Sequence, residues 1–93
     1  MLKEKVTRHT NYKGKIYVYN HKGKLLKTYE NKKQASIELE KETGIKFNPT
    51  AIGYASIGEN TYVGCHKYKN FIFFNRVLNA IEISEYRRAR IFN

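Results

Sequence analysis

The run KIYVY at residues 15–19, followed by NHKG at 20–23 and KLLKTY at 24–29, decides the fold. Lys15 to Tyr19 is dense in β-branched and aromatic residues, which suit a pleated, half-buried surface. Asn20 to Gly23 supplies turn chemistry, with a glycine for a positive-φ position, and Lys24 to Tyr29 runs back. The pattern predicts a β-hairpin.

Working outward, Asn31 with Gln34 three residues on has the spacing of a helix N-cap and the partner that reaches back to it, so a first helix is expected over Lys32–Thr43. Ala35 and Leu39 fall on its inner face, Glu38, Glu40, Lys41 and Glu42 face water, and Gly44 stands where the helix should end. Asn48 before Pro49 repeats the start signal and predicts a short second helix over Pro49–Ile57. Its Ile52 and Ala55 should turn inward, and its Thr50, Gly53, Tyr54 and Ser56 outward. A polar loop, Glu59–Asn70, precedes Phe71-Ile72-Phe73-Phe74, too apolar for a surface element and too short for a helix, hence a buried third strand. Ser84 and Glu85 open an expected basic helix, Glu85–Ile91, carrying Arg87, Arg88 and Arg90. The expected class is α+β: a β-hairpin, two short helices in a helix-turn-helix-like unit, a third strand closing a small antiparallel sheet, then a basic C-terminal helix. Residues 1–14 read as a basic arm, 15–74 as the module and 75–93 as a helical tail.

At 93 residues there is room for one domain, and 41% apolar residues suffice for its core. The formal net charge is +10, with a pI near 9.8. A field that strong on so small a body attracts polyanions, nucleic acid first. The lone Cys65 rules out an internal disulfide and a cysteine-rich zinc site, and fits a reducing compartment. No run reaches the length of a membrane span and the N-terminus lacks the apolar core of a signal peptide, so the expectation is a cytoplasmic protein with no membrane contact.

Little in the chain points to catalysis. His9, His21 and His66 are scattered, and Cys65 and His66 are adjacent where a chelating pair is spaced two to four residues apart. Neighbours in an extended segment point to opposite faces, which also separates them as nucleophile and base. Glu38, Glu40 and Glu42 read as solvated helix surface, and no glycine pattern cradles a phosphate. The expectation is a non-enzyme with no cofactor and no metal. The positive signal is lysine interleaved with tyrosine, since cations neutralise phosphates while rings stack on bases. Tyr12, Lys13, Lys15, Tyr17, Tyr19, Lys22 and Lys24 form one group, and Tyr62, Lys67, Tyr68 and Lys69 another.

The order of these pieces resembles the first type of nuclease-associated modular domain. The pieces are Ile16-Tyr17-Val18-Tyr19, Gly23 to Tyr29, the helix containing Gln34-Ala35-Ser36-Ile37-Glu38-Leu39, Ile52 to Gly58, and the closing Phe71-Ile72-Phe73. The likeness spans about residues 15–74. It departs in a longer link from Glu40 to Asn48, in the extended loop Glu59 to Asn70, and in having no nuclease domain beside it. Such modules are helix-turn-helix-like and contact DNA. The resemblance therefore implies a stand-alone binding module of the kind a phage or mobile element carries. On that reading Asn48, Thr50, Tyr54 and Ser56 present the second helix to the groove of duplex DNA. Lys13, Lys15, Lys22, Lys24, Lys67, Lys69, Arg87, Arg88 and Arg90 hold phosphates. The rival from another class is a phage-type inhibitor that binds an acidic or nucleic-acid-binding surface of a host protein. A phosphate footprint should gather cations on one face, whereas a protein interface needs an exposed apolar patch.

Overall fold

The computed structural model describes residues 12–58 and 66–92. Four strands, β1 (Ile16–Tyr19), β2 (Leu25–Tyr29), β3 (Lys67–Tyr68) and β4 (Phe71–Phe74), form one antiparallel sheet in the order β2-β1-β4-β3. Helices α1 (Lys32–Thr43) and α2 (Pro49–Ser56) follow the hairpin, and α3 (Ala80–Arg88) follows β4. The class is α+β, as the sequence predicts.

The central pair explains why neither inner strand alternates apolar with polar residues. β1 and β4 pair Tyr17 with Phe74, Val18 with Phe73 and Tyr19 with Ile72. Ile16, Val18 and Phe73 enter one core with Ala35, Leu39, Phe47, Ile52 and Ala55, so α1 and α2 cover that face. Tyr19, Ile72 and Phe74 enter a second core with Leu78 and Phe92, and Ile83 and Tyr86 of α3 pack against it. Helices on both faces bury successive residues of a strand, which then reads as a continuous apolar run.

Local chemistry sets the boundaries. Asn31 caps α1 by accepting from the Gln34 N–H at 2.8 Å, and the Gln34 side chain accepts from the Glu30 N–H. Asn48 caps α2 through the Thr50 N–H, also at 2.8 Å, with Pro49 in the first turn. In the β1–β2 turn the Asn20 side chain accepts from the Lys22 and Lys24 N–H groups. Gly23 there has φ 87, and a Cβ on it would stand 3.1 Å from Ile83 and 3.3 Å from Phe92. Both the turn and the contact with the second core require glycine.

Three expectations are corrected. The segment expected as polar loop contains β3, whose Lys67 and Tyr68 pair with Ile72 and Phe71 around a two-residue turn. α3 begins not at Glu85 but at Ala80. The Asn79 side chain caps the Glu82 N–H and Glu82 reaches back to the Asn79 N–H, a reciprocal box that ties down the start. α3 also ends at Arg88 rather than Ile91, because the chain turns left-handed at Arg90 and sends Phe92 into the second core, where it is 1% exposed. The other expected features of residues 1–11 and 59–65, Tyr62 and Cys65 among them, lie outside the described residues.

Candidate nucleic-acid interface

Antiparallel pairing fixes which connections share an end of the sheet. Tyr19 at the close of β1 sits opposite Ile72 at the start of β4, so the β1–β2 turn and the β3–β4 turn lie together. The link between α1 and α2 joins them: Lys69 Nζ donates to the Lys46 carbonyl at 2.5 Å, and the Asn48 N–H donates to the Tyr68 hydroxyl at 3.0 Å. The end of α3 arrives there too. Arg87 donates to the Lys22 carbonyl and Lys67 Nζ to the Arg90 carbonyl, both at 3.1 Å.

Four separate segments thus bring Lys22, Lys24, Lys46, Lys67, Lys69, Arg87, Arg88 and Arg90 to one end of the molecule, all exposed. The connections 20–24, 44–48 and 66–72 contain no acidic residue. Lys69 and Arg87 spend their bonds here on neutral carbonyls, which order the side chains without cancelling their charge. The Lys27–Glu42, Lys41–Glu38 and Arg76–Glu82 ion pairs draw on other cations than these eight. The backbone at this end is strained as well. Lys69 (φ 49), Asn70 (φ 72) and Arg90 (φ 67) are the described non-glycine residues with positive φ. Left-handed backbone at such residues is disfavoured and tends to gather at functional sites.

Two grooves open on this end. One, of about 540 Å³, is lined by His21, Lys67, Tyr68, Lys69, Asn70, Phe71 and Ile72. The other, of about 440 Å³, is lined by Lys46, Phe47, Asn48, Pro49, Tyr68 and Lys69. The Lys69 ammonium stands over two rings, 5.6 Å from the centroid of Tyr68 and 5.8 Å from that of Phe47.

Of the residues singled out in the sequence, Lys22, Lys24, Asn48, Thr50, Lys67, Lys69, Arg87, Arg88 and Arg90 come together. Lys13 and Lys15 do not: they precede β1 at the opposite end, where Ile16 pairs with Tyr29. Ser56 is corrected outright. It is fully buried and its hydroxyl donates to the Ile52 carbonyl at 2.8 Å. Gly53 is buried as well and Tyr54 half-buried, so α2 offers solvent its first turn rather than its length. Lys46 and Asn70, which the sequence reading passes over, belong to the site. Lys46 is the one cation of the α1–α2 link, a signal available in the sequence.

Histidine 66 serves the fold. It is 6% exposed, bonded through Nδ1 to the Phe73 carbonyl at 2.9 Å and stacked on Phe74. Among the described residues no three His, Cys, Asp or Glu side chains are placed to share a metal ion, and no helix is long and apolar enough to cross a membrane. No family model, curated protein or solved structure matches this chain.

Proposed function

We propose that the chain is a non-catalytic nucleic-acid-binding protein, with DNA as its partner, that grips the phosphate backbone with the turn end of its sheet. The observation that carries the reading is the convergence of eight exposed cations from four segments on one end, with no acidic residue in its three connections. Scattered surface lysines would serve solubility alone, whereas cations gathered on one side form a footprint for a polyanion. α2 meets the partner end-on through Asn48 and Thr50. Because the Asn48 side-chain oxygen is already bonded to the Thr50 N–H, base reading is slight and most of the affinity is electrostatic.

Fluorescence anisotropy of a labelled duplex across a salt series tests this. Each neutralised phosphate contributes a slope of about 0.9 in log K against log salt, so four or more contacts should give a slope steeper than about −3.5. A flat response, or no binding at low salt, rejects the proposal. One observation favours a protein partner instead: Val77 and Ile81, next to the start of α3, are 59% and 72% exposed. If duplex binding fails while Val77→Ser or Ile81→Ser abolishes capture of a defined host protein, the inhibitor reading takes its place.

A further inference from the structure

The Tyr68–Lys69 pair is the shared wall of the two grooves, and each groove has two lysines and two aromatic rings in its lining and no carboxylate. Lys67, Lys69, Tyr68 and Phe71 serve one; Lys46, Lys69, Phe47 and Tyr68 serve the other. Volumes of about 540 and 440 Å³ fall within the roughly 300–1,000 Å³ of pockets that enclose small ligands. A duplex does not use such a shape. Its phosphates lie on a convex cylinder and its bases are stacked inside, so it can rest on the rim of a groove but place nothing in it. An unpaired nucleotide can enter, base against ring and phosphate against ammonium, which is the alternation that single-strand sites employ. The ring is also held ready. Phe47 packs edge-on to Tyr68 at 5.7 Å and 86°, Phe73 backs it at 6.2 Å, and its hydroxyl accepts from the Asn48 N–H. Little side-chain entropy remains to be lost on stacking.

We infer that the paired grooves bind an unpaired stretch of nucleic acid, with successive nucleotides on either side of the Tyr68–Lys69 wall and their phosphates on Lys46, Lys67 and Lys69. The inference rests on the proposed function and goes beyond it, from backbone grip on any duplex to a preference for single-stranded segments.

Labelled dT12 and a 12-base-pair duplex, titrated by anisotropy at matched salt, separate the two ideas. The expected result is tighter binding of dT12, with shifts of the Tyr68 and Phe71 ring resonances that the duplex does not cause. On single strands a slope of about 0.7 per phosphate makes each lost contact worth about a fivefold loss at 0.1 M salt. Lys46→Ala and Lys69→Gln should each weaken dT12 by about that factor. Tyr68→Leu should abolish the preference for dT12 and Tyr68→Phe, which keeps the ring, should restore it. Should Tyr68→Leu fail to fold, Lys46→Ala decides, since the Lys46 side chain is exposed and only its carbonyl is used. Duplex binding without dT12 binding, or dT12 binding indifferent to Lys46→Ala and Lys69→Gln, overturns the inference and leaves the proposed function standing. Binding of neither probe overturns both.

Discussion

Arg90 occupies a position where glycine is the ordinary choice. The Ile91 N–H donates to the Tyr86 carbonyl at 2.8 Å and the Arg90 N–H to Arg87 at 3.0 Å, the two bonds of a Schellman motif whose left-handed residue is Arg90 at φ 67. Because that motif is recognised in sequence by glycine or asparagine, the end of α3 is illegible from the residues, and the helix reads on to Ile91. Arg90→Gly should relieve the strain and, after the extra freedom of glycine in the unfolded chain, stabilise by about 0.5–1 kcal/mol. A domain of this size converts that into a melting temperature higher by about 2–8 °C. Nucleic-acid affinity should fall at the same time. A lower melting temperature would show that the arginine is there for the fold, and undiminished affinity that its charge takes no part in binding. His66 gives the second test at this scale. Burial first, and then the Arg76 charge, hold its imidazole below the ordinary histidine value, against the upward pull of the Phe73 and Ala55 carbonyls. The unfolded chain therefore takes up the proton first as pH drops. The contribution of neutral His66 is complete above about pH 6.5 and is lost as pH falls through the lower folded value. Urea midpoints between pH 7.5 and 5 should decline in the native chain, and His66→Asn, which keeps a donor near the Nδ1 position, should decline less. An identical decline in both proteins would place the titration elsewhere.

At the scale of elements, legibility follows how local the determining chemistry is. α1 spans the predicted residues because its cap and its end are both decided within a few residues of sequence. β3 has only two residues, and its hairpin turns on Lys69 and Asn70 where a glycine would have announced it, so nothing local marks it. α3 is an intermediate case. Asn79 followed by Glu82 is a readable start signal, but Ser84 and Glu85 offer a competing one, and the second core decides between them. Leu78 and Ile83 stand at the positions of a hydrophobic staple around the Asn79 cap, Leu78 inside that core and Ile83 packed against it. Thermal melts should accordingly rank three changes. Asn79→Ala removes the cap and should cost about 1 kcal/mol. Phe92→Ala empties a site packed against Tyr19, Phe74 and Tyr86 and should cost about 3–5 kcal/mol. Replacing Arg87, Arg88 and Arg90 together by alanine removes exposed charge and the exposed Arg87 bond to the Lys22 carbonyl, and should stay within about 1 kcal/mol of the native chain. If the arginine variant melts as early as Phe92→Ala, those side chains hold α3 in place and their charge at the interface is incidental.

For the whole molecule, net charge is the poorest guide and its placement the best. The sequence shows cations at Lys13 and Lys15, at Lys22 and Lys24, at Lys67 and Lys69 and along Arg87 to Arg90, and nothing in one dimension says which share a face. Strand pairing supplies the answer. It sends the two hairpin turns to one end and leaves Lys13, Lys15 and the start of α1 at the other, while side-chain hydrogen bonds tie the α1–α2 link and the close of α3 to the turns. A comparison at equal charge isolates that geometry. Replacing Lys22, Lys69 and Arg90 by alanine, or Lys13, Lys15 and Lys33 by alanine, takes the formal charge from +10 to +7 in either case. A partner that responds to total charge would lose the same affinity to both. A partner seated on the turn end should lose two to three orders of magnitude to the first set at 0.1 M salt, since a duplex contact contributes a slope of about 0.9, and its salt slope should flatten by about 2.7. The second set should cost less than about tenfold, through the long-range field that salt screens beyond about 10 Å. Equal losses from the two variants, with equal salt slopes, would mean that the cations act as a diffuse cloud and that the turn end is no interface.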